Sequence, residues 1–224
     1  MEQCQFDYSL NRSSQLPMLT GKHYIKDQSL SAVKLFDEYK ISNDFKKPVN
    51  FVVFSPFENS YDILACSTQE RVYIFRILLS TDNDGDDSEL NFDYECIYDY
   101  LIGSKCTCIT FSPKTDFSQL KNNFLSLAVA CEDFAILLLN HTFNGVESSE
   151  EYVQQQYIIG HSDFVNDFAF EPTFGNSLAS TSDDCTCCVW SLANNGQKNI
   201  DMKIILSSPG INVKWHKSEP HKVC

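Results

Sequence analysis

GHSDFVNDFAFEP (residues 160–172) and, a few positions on, LASTSDDCTCCVWS (residues 178–191) break into short apolar or alternating runs separated by turn formers. That is the pattern of antiparallel β-hairpins. Strands are expected at 164–170, 177–181 and 186–191, with a fourth at 202–206. The apolar strand, aromatic, spacer and proline of DFAFEP (167–172) occur twice more, as VVFSP (52–56) and CITFSP (108–113). A fourth copy, INVKWH (211–216), keeps the strand and the aromatic but has Lys217 where proline stood. The marker aromatics Phe54, Phe111, Phe170 and Trp215 are separated by 57, 59 and 45 residues, near or above one propeller blade of about 40 to 45. Between markers the chain offers strands at 49–54, 61–66, 72–79 and 94–101, and again at 106–111, 124–130, 134–139 and 152–159. Four short strands per unit is the content of a blade.

The unit at 160–206 carries the signature of a WD repeat: Gly160-His161 before the inner strand, Ala179-Ser180-Thr181-Ser182 in the second, Asp184 in the tight turn and Trp190 closing the third. By resemblance to such repeats, His161, a strand hydroxyl, Asp184 and Trp190 form a hydrogen-bonded chain. It would pin the loop before the blade onto its outer strands. A buried indole N–H and imidazole need partners, and a carboxylate fixes the imidazole's orientation. Either Ser180 or Ser182 can supply the hydroxyl, since alternation points both to one side; Ser180 is preferred. Gly103-Ser104 and Leu139 replace Gly-His and Trp in the unit before, so one blade is fully decorated. The fold class is therefore all-β, a WD40-type β-propeller left incomplete: three four-stranded blades plus the first strand of a fourth. The domain boundaries are an N-terminal extension, 1–47, and a partial propeller, 48–224. Its blades run at about 48–101, 102–159 and 160–206, with a fourth starting at 207–224.

Several residue groups invite chemistry. His161, Ser180 and Asp184 have the residue types of a catalytic triad, but a WD repeat already gives them partners and no G-x-S-x-G elbow surrounds either serine. No catalytic residue is assigned. Cys106/Cys108 and Cys185/Cys187/Cys188 are zinc-type ligands, but Cys106/Cys108 and Cys185/Cys187 sit at strand rather than turn spacing, so thiols packed between blades are the better reading. DNDGDD (82–87) fails the calcium-loop rule at both ends, with Ser80 first and Asn91 last. Asp82, Asp84, Asp86, Asp87 and Glu89 belong to a run of seven acids from 82 to 95 without a basic residue. It reads as a solvated loop between the third and fourth strands of blade one, with docking of a basic partner as the alternative. VESSEE (146–151) is a second such insertion. Ser55-Pro56, Ser112-Pro113 and Ser208-Pro209 fit proline-directed kinases, yet each falls where a strand turns.

Composition narrows the classes further. The 224 residues carry 30 acidic and 17 basic side chains, a net charge of −13. This charge repels phosphate backbones, so no direct nucleic-acid binding is expected. Hydrophobic residues make up 43%, enough for a sizeable core. The longest apolar run, FLSLAVACEDFAILLL (124–139), is shorter than a spanning helix and holds Glu132 and Asp133 near its middle, so no membrane insertion is expected. No signal peptide is visible, and a reducing compartment leaves the ten cysteines as free thiols. Residues 30–39 carry the spacing of a short amphipathic helix. No cofactor and no small-molecule substrate is expected.

Beyond the WD pattern, FSPFEN (54–59), GHSDFVNDFAFEP, SDDCTCCVW (182–190) and SSPGINVKWH (207–216) resemble the nucleoporin thirty-seven family, the small WD-repeat subunits of the Y-shaped outer-ring scaffold of the nuclear pore. The resemblance runs from about 49 to 223 in the same order and spacing; residues 1–47 and the acidic loop depart from it. It implies a non-catalytic scaffold at the nuclear envelope that docks on other Y-complex nucleoporins, especially the long-arm helical subunit. It also implies support for pore assembly and transport of protein and mRNA, and kinetochore association in mitosis. The alternative is a WD adaptor for another assembly such as a ubiquitin ligase. Such adaptors resemble repeats with Arg two positions after Trp-Asp, where this chain has Leu192-Ala193. Closure of a propeller of this family takes seven blades, so the chain is expected to be a fragment or short isoform. Its end blades should expose apolar faces.

Overall fold

The computed structural model describes residues 23–25, 48–81, 90–119, 122–143, 152–192, 200–216, 219 and 222–224. Residues 30–39, the acidic positions Asp82, Asp84, Asp86, Asp87 and Glu89, and the insertion at 146–151 lie outside them. A short edge strand, β1 (His23–Ile25), precedes blade one, which consists of β2 (Phe51–Phe54), β3 (Ile63–Ser67), β4 (Arg71–Thr81) and β5 (Leu90–Leu101). Blade two is β6 (Cys106–Phe111), β7 (Asn123–Cys131), β8 (Ile136–Phe143) and β9 (Tyr152–Ile158). Blade three is β10 (Val165–Phe170), β11 (Ser177–Ser182), β12 (Thr186–Ser191) and β13 (Ile200–Ile205). Each blade is an antiparallel meander in chain order, and β1 adds to the outer edge of blade one beside β5. The fold is all-β, an unclosed propeller-like stack; the described residues include one 3-10 turn, Glu58–Ser60. The acidic segment joins β4 to β5, each longer than its sequence pattern indicates.

The blades stack through both faces of the middle one. On β7, Leu125, Leu127 and Val129 pack with Ile63, Ala65, Val72 and Ile74 of blade one. Ala128 and Ala130 point the other way, with Phe168, Leu178 and Trp190 of blade three. A strand buried on both faces reads as a continuous apolar run, which is why 124–139 looked superficially like a membrane segment. It is the β7–β8 hairpin, with Glu132 and Asp133 in its turn. Each Val, Leu, Ile or Phe side chain so removed from water contributes about 1.5–3 kcal/mol.

Polar contacts cross the same interfaces. The Tyr100 hydroxyl of β5 bonds Nδ1 of the fully buried His141 of β8 at 2.7 Å. Arg76 bonds Asp62 at 2.7 Å and donates to the Phe117 carbonyl at 3.2 Å. Lys114 reaches Asn176 of blade three at 2.8 Å.

Two segments depart from regular strand geometry, the second of them an expected strand. Cys106 and Cys108 do not share a strand face: a β-bulge between them shifts the register. Cys106 faces blade one and Cys108 faces blade three. The extra residue of a bulge turns the following side chain over. The fourth-blade strand at 211–216 is also not formed along its length. A strand needs a partner along its whole length, and here Trp215 makes a single antiparallel bridge with Val223. Side chains hold this segment on blade three instead. Asp167 accepts from the Asn212 amide at 2.6 Å and the Val213 N–H at 3.0 Å, and the Trp215 indole donates to the Ala169 carbonyl at 2.7 Å.

The serines of the Ser-Pro pairs at 55 and 112 are buried in turns. Ser55 bonds Ser60, and Ser112 accepts from the Lys114 N–H. Ser208 is exposed.

Replacing Tyr100 by Phe leaves the Nδ1 of His141 without this bond between blades one and two. The variant should lose about 1–3 kcal/mol, read as a lower denaturant midpoint; an unchanged midpoint would mean the bond adds nothing to the stack.

Candidate functional site

His161 sits just before β10, Ser180 on β11, Asp184 in the β11–β12 turn and Trp190 on β12, and the structure brings all four together. The Trp190 indole N–H donates to Ser180 Oγ at 2.8 Å, Ser180 Oγ lies 2.7 Å from His161 Nε2, and His161 Nδ1 lies 3.0 Å from Asp184 Oδ2. One proton arrangement uses every group: indole to serine, serine to Nε2, and Nδ1–H to the carboxylate. It requires a neutral imidazole, because a proton on Nε2 would oppose the serine hydrogen. Ser182 has a different task. It donates to the Asp163 carbonyl and accepts from the Asp184 N–H, both at 3.1 Å.

Two further residues belong to this site and were missed from the sequence. Thr186 donates through its hydroxyl and its N–H to Asp184 Oδ1, at 2.6 and 2.9 Å, while the Ser162 N–H donates to Oδ2 at 3.1 Å. The Asp-x-Thr spacing was the available signal, since a turn carboxylate commonly caps the N–H two residues on. Asp133 takes the same turn position in blade two and accepts from Ala135 N–H at 3.3 Å. Phe134 and Cys185 follow these aspartates with φ of 68° and 59°, a residue in the left-handed region closing each hairpin. Gly160 has another reason to be glycine. A Cβ there would lie 2.6 Å from the Trp190 ring, so the indole seats directly on the backbone.

Burial sets the electrostatics. Burial pushes the Asp184 carboxyl up, but hydrogen bonds from Thr186, His161 and the Ser162 N–H outweigh it and hold the group far below its ordinary range. Burial lowers the His161 pKa from 6.5, outweighing the opposing pull of Asp184. Ser180 is fully buried, His161 is 6% exposed and Trp190 1%. The Ser–His–Asp geometry therefore has no opening to substrate, and the serine oxygen is already occupied by the indole. Among the described residues no group of three or more His, Cys, Asp or Glu is placed to hold a metal ion. Cys66, Cys108 and Cys131 are free thiols that desolvation pushes up to about 12. At neutral pH such thiols are protonated and pack as small apolar groups.

Asp184→Ala should cost roughly 3 kcal/mol, because a buried imidazole N–H and three further donors lose their acceptor. A denaturant midpoint equal to that of the parent chain would remove the energetic role of this chain of bonds. The pH dependence has a definite sign. Folding lowers the His161 pKa, so the unfolded chain takes up that proton first. Its contribution is complete above the ordinary value of 6.5 and is lost as the pH falls through the lower folded value. The Asp184 contribution is lost only further down, below its ordinary 3.8. Stability should fall between pH 7.5 and 5, and fall less in His161→Gln; equal slopes would contradict the assignment.

Residues 152–191 match the WD domain, G-beta repeat family. The match joins β9 of blade two to three strands of blade three, so the repeat in the sequence straddles two blades in space. The chain is similar to nucleoporin Nup37 of Mus musculus, 29% identical over 185 residues, covering 80% of this chain and 52% of that protein. Nucleoporin Nup37 of Homo sapiens is 29% identical over 182 residues, with the same 80% and 52% covered. That of Drosophila melanogaster is 32% identical over 136 residues, covering 59% and 39%. The chain spans about half the length of the mouse and human relatives it matches. With a bonded WD site at its best-formed blade and this similarity along four-fifths of its length, the chain is a Nup37-like WD-repeat protein.

Proposed function

We propose that this chain is a non-catalytic scaffold subunit of the nuclear pore outer ring, the Y complex. It would act at the nuclear envelope through protein–protein contacts that support pore assembly and transport. The observation that carries the reading is its similarity over 80% of its length to proteins named nucleoporin Nup37. The buried state of Ser180, His161 and Asp184 supports the absence of catalysis, because a nucleophile must be reachable. Exposed apolar residues on β13, Met202 at 56% and Ile204 at 42%, supply surface that a protein contact or a further blade could cover. The net charge of −13 favours protein over nucleic acid as the partner. The partners proposed are other Y-complex nucleoporins, with the long-arm helical subunit foremost. Kinetochore association has no support among these observations and is not part of the proposal.

Affinity capture of the tagged chain from nuclear extract, followed by mass spectrometry, tests this. Recovery of the long-arm subunit with other Y-complex members is the expected result; recovery of none of them would overturn the scaffold assignment.

A further inference from the structure

The fourth strand of each blade ends beside the turn that joins the second strand to the third, and the register puts one aliphatic residue of each blade at the same place there. Leu101, the last residue of β5, lies opposite Arg71, the first of β4. Ile205, the last of β13, lies opposite Thr186, the first of β12. In blade two Ile158 pairs with Ile136 at the start of β8, and Ile159 follows one step nearer the turn. The three are 59%, 77% and 84% exposed. Exposed aliphatics scattered singly are ordinary, but a row that recurs at one position of three successive blades is a patch.

The blades themselves do not cover this row. Ile158 packs in the cluster shared with blade three, so by alternation Ile159 faces blade one. Tyr157, on the same side, donates to the carbonyl of Ile102, just past Leu101, at 3.4 Å. Ile204 pairs with Cys187, which packs away from blade two, so Ile205 faces blade two. Lys203, on the same side, donates to the carbonyl of Gly160, just past Ile159, at 3.4 Å. Equivalent strand positions thus reach equivalent carbonyls at both junctions. Each facing blade is in place and bonded, yet Ile159 and Ile205 stay open. A further blade would stack on the other face of blade three and leave Ile205 as it is.

Charge and spacing give the occupant. In the turns at this end, Asp133 accepts from the Ala135 N–H at 3.3 Å and Asp183 from the Asn166 side-chain amide at 2.7 Å. Neutral donors leave both carboxylate charges in place. The bases Arg71 and Lys105 are matched by Asp99 and Glu132. A second copy would bring the same acids and a net charge of −13 against this rim, so self-association is opposed. Stacked sheets lie about 10 Å apart, and seven residues of α-helix advance about 10.5 Å and return to the same side. An extended segment covers that distance in about three residues and turns successive contacts to opposite faces. We propose that Leu101, Ile159 and Ile205 are the docking row for a basic amphipathic α-helix of another protein. The helix lies across the three blades, with one apolar side chain every two turns on this row and Lys or Arg beside them toward Asp133 and Asp183. The assignment does not rest on the nuclear pore reading: a chain that recovers no nucleoporin could still bind such a helix.

The probe is a fluorescein-labelled helical peptide of about 22 residues, long enough to span three blades, with Leu at every third or fourth position and Lys elsewhere. Its counterpart carries Glu in place of Lys. Titration with the full chain, read by anisotropy, should show binding of the Lys peptide that weakens with salt. Ile159→Asp and Ile205→Asp should each weaken it about tenfold. Tyr61→Asp, at a residue 72% exposed in the β2–β3 connection at the other end of blade one, should leave it unchanged. Equal affinities in the Ile159 and Tyr61 variants, equal binding of the Glu peptide, or a dimer that Ile159→Asp dissolves would overturn the proposal. A second measurement avoids introducing charge: p-benzoylphenylalanine at position 159 should crosslink the Lys peptide about tenfold more than the same group at position 61, and equal yields would overturn it too.

Discussion

A sheet that is apolar on both faces has to be covered on both faces, and every arrangement in this protein follows from that requirement. Blade two satisfies it fully. Its β7 sends Leu127 and Val129 to one neighbour and Ala128 and Ala130 to the other, with small residues on one side and large on the other setting how closely each blade approaches. The end blades have one neighbour each and meet the requirement differently. Blade three is backed by the segment around Val213 and Trp215, which packs on Ala179 and Cys187 and is held by Asp167. That end of the stack is thus backed in part by non-repeating chain.

Burial that stabilises apolar groups penalises polar ones, so each polar group drawn into the stack must bring its partners with it. Blade three does this with a directional chain in which each donor meets an acceptor, ending on a carboxylate that is itself held by Thr186 and the Ser162 N–H. Ser180, His161 and Asp184 are bonded to one another in the interior, and the serine oxygen also accepts from the Trp190 indole. Blade two, lacking the Gly-His pair, relies instead on His141 and Tyr100 across the blade boundary. Blades two and three thus pair their buried histidines with different residues.

Much of this was legible in the residues. Marker aromatics, turn prolines and the Gly160 to Trp190 spacing set the four-strand units, because alternation and turn chemistry act over a few residues. The choice between Ser180 and Ser182 was not legible, since both lie on one side of β11 and only the position of the Trp190 indole separates them. Nor was the divergence of Cys106 and Cys108, because a bulge is a property of the pairing with Cys131 and Ala130 rather than of the strand itself. The strand expected at 211–216 was not formed along its length for a related reason: a ladder is a property of the pairing, and among the described residues Trp215 bridges Val223.

The sequence by itself determined that the chain makes short antiparallel strands in repeated units, that one unit has the polar residues of a WD repeat, and that its cysteines sit where thiols pack. Local periodicity and residue chemistry are enough for those. Only the tertiary structure decided which serine the histidine meets, that burial favours the neutral histidine, and that β1 and β2 bound one sheet from opposite edges. Those depend on contacts between segments far apart in the chain, where register and blade-to-blade packing, absent from any local pattern, choose among side chains the sequence leaves equivalent.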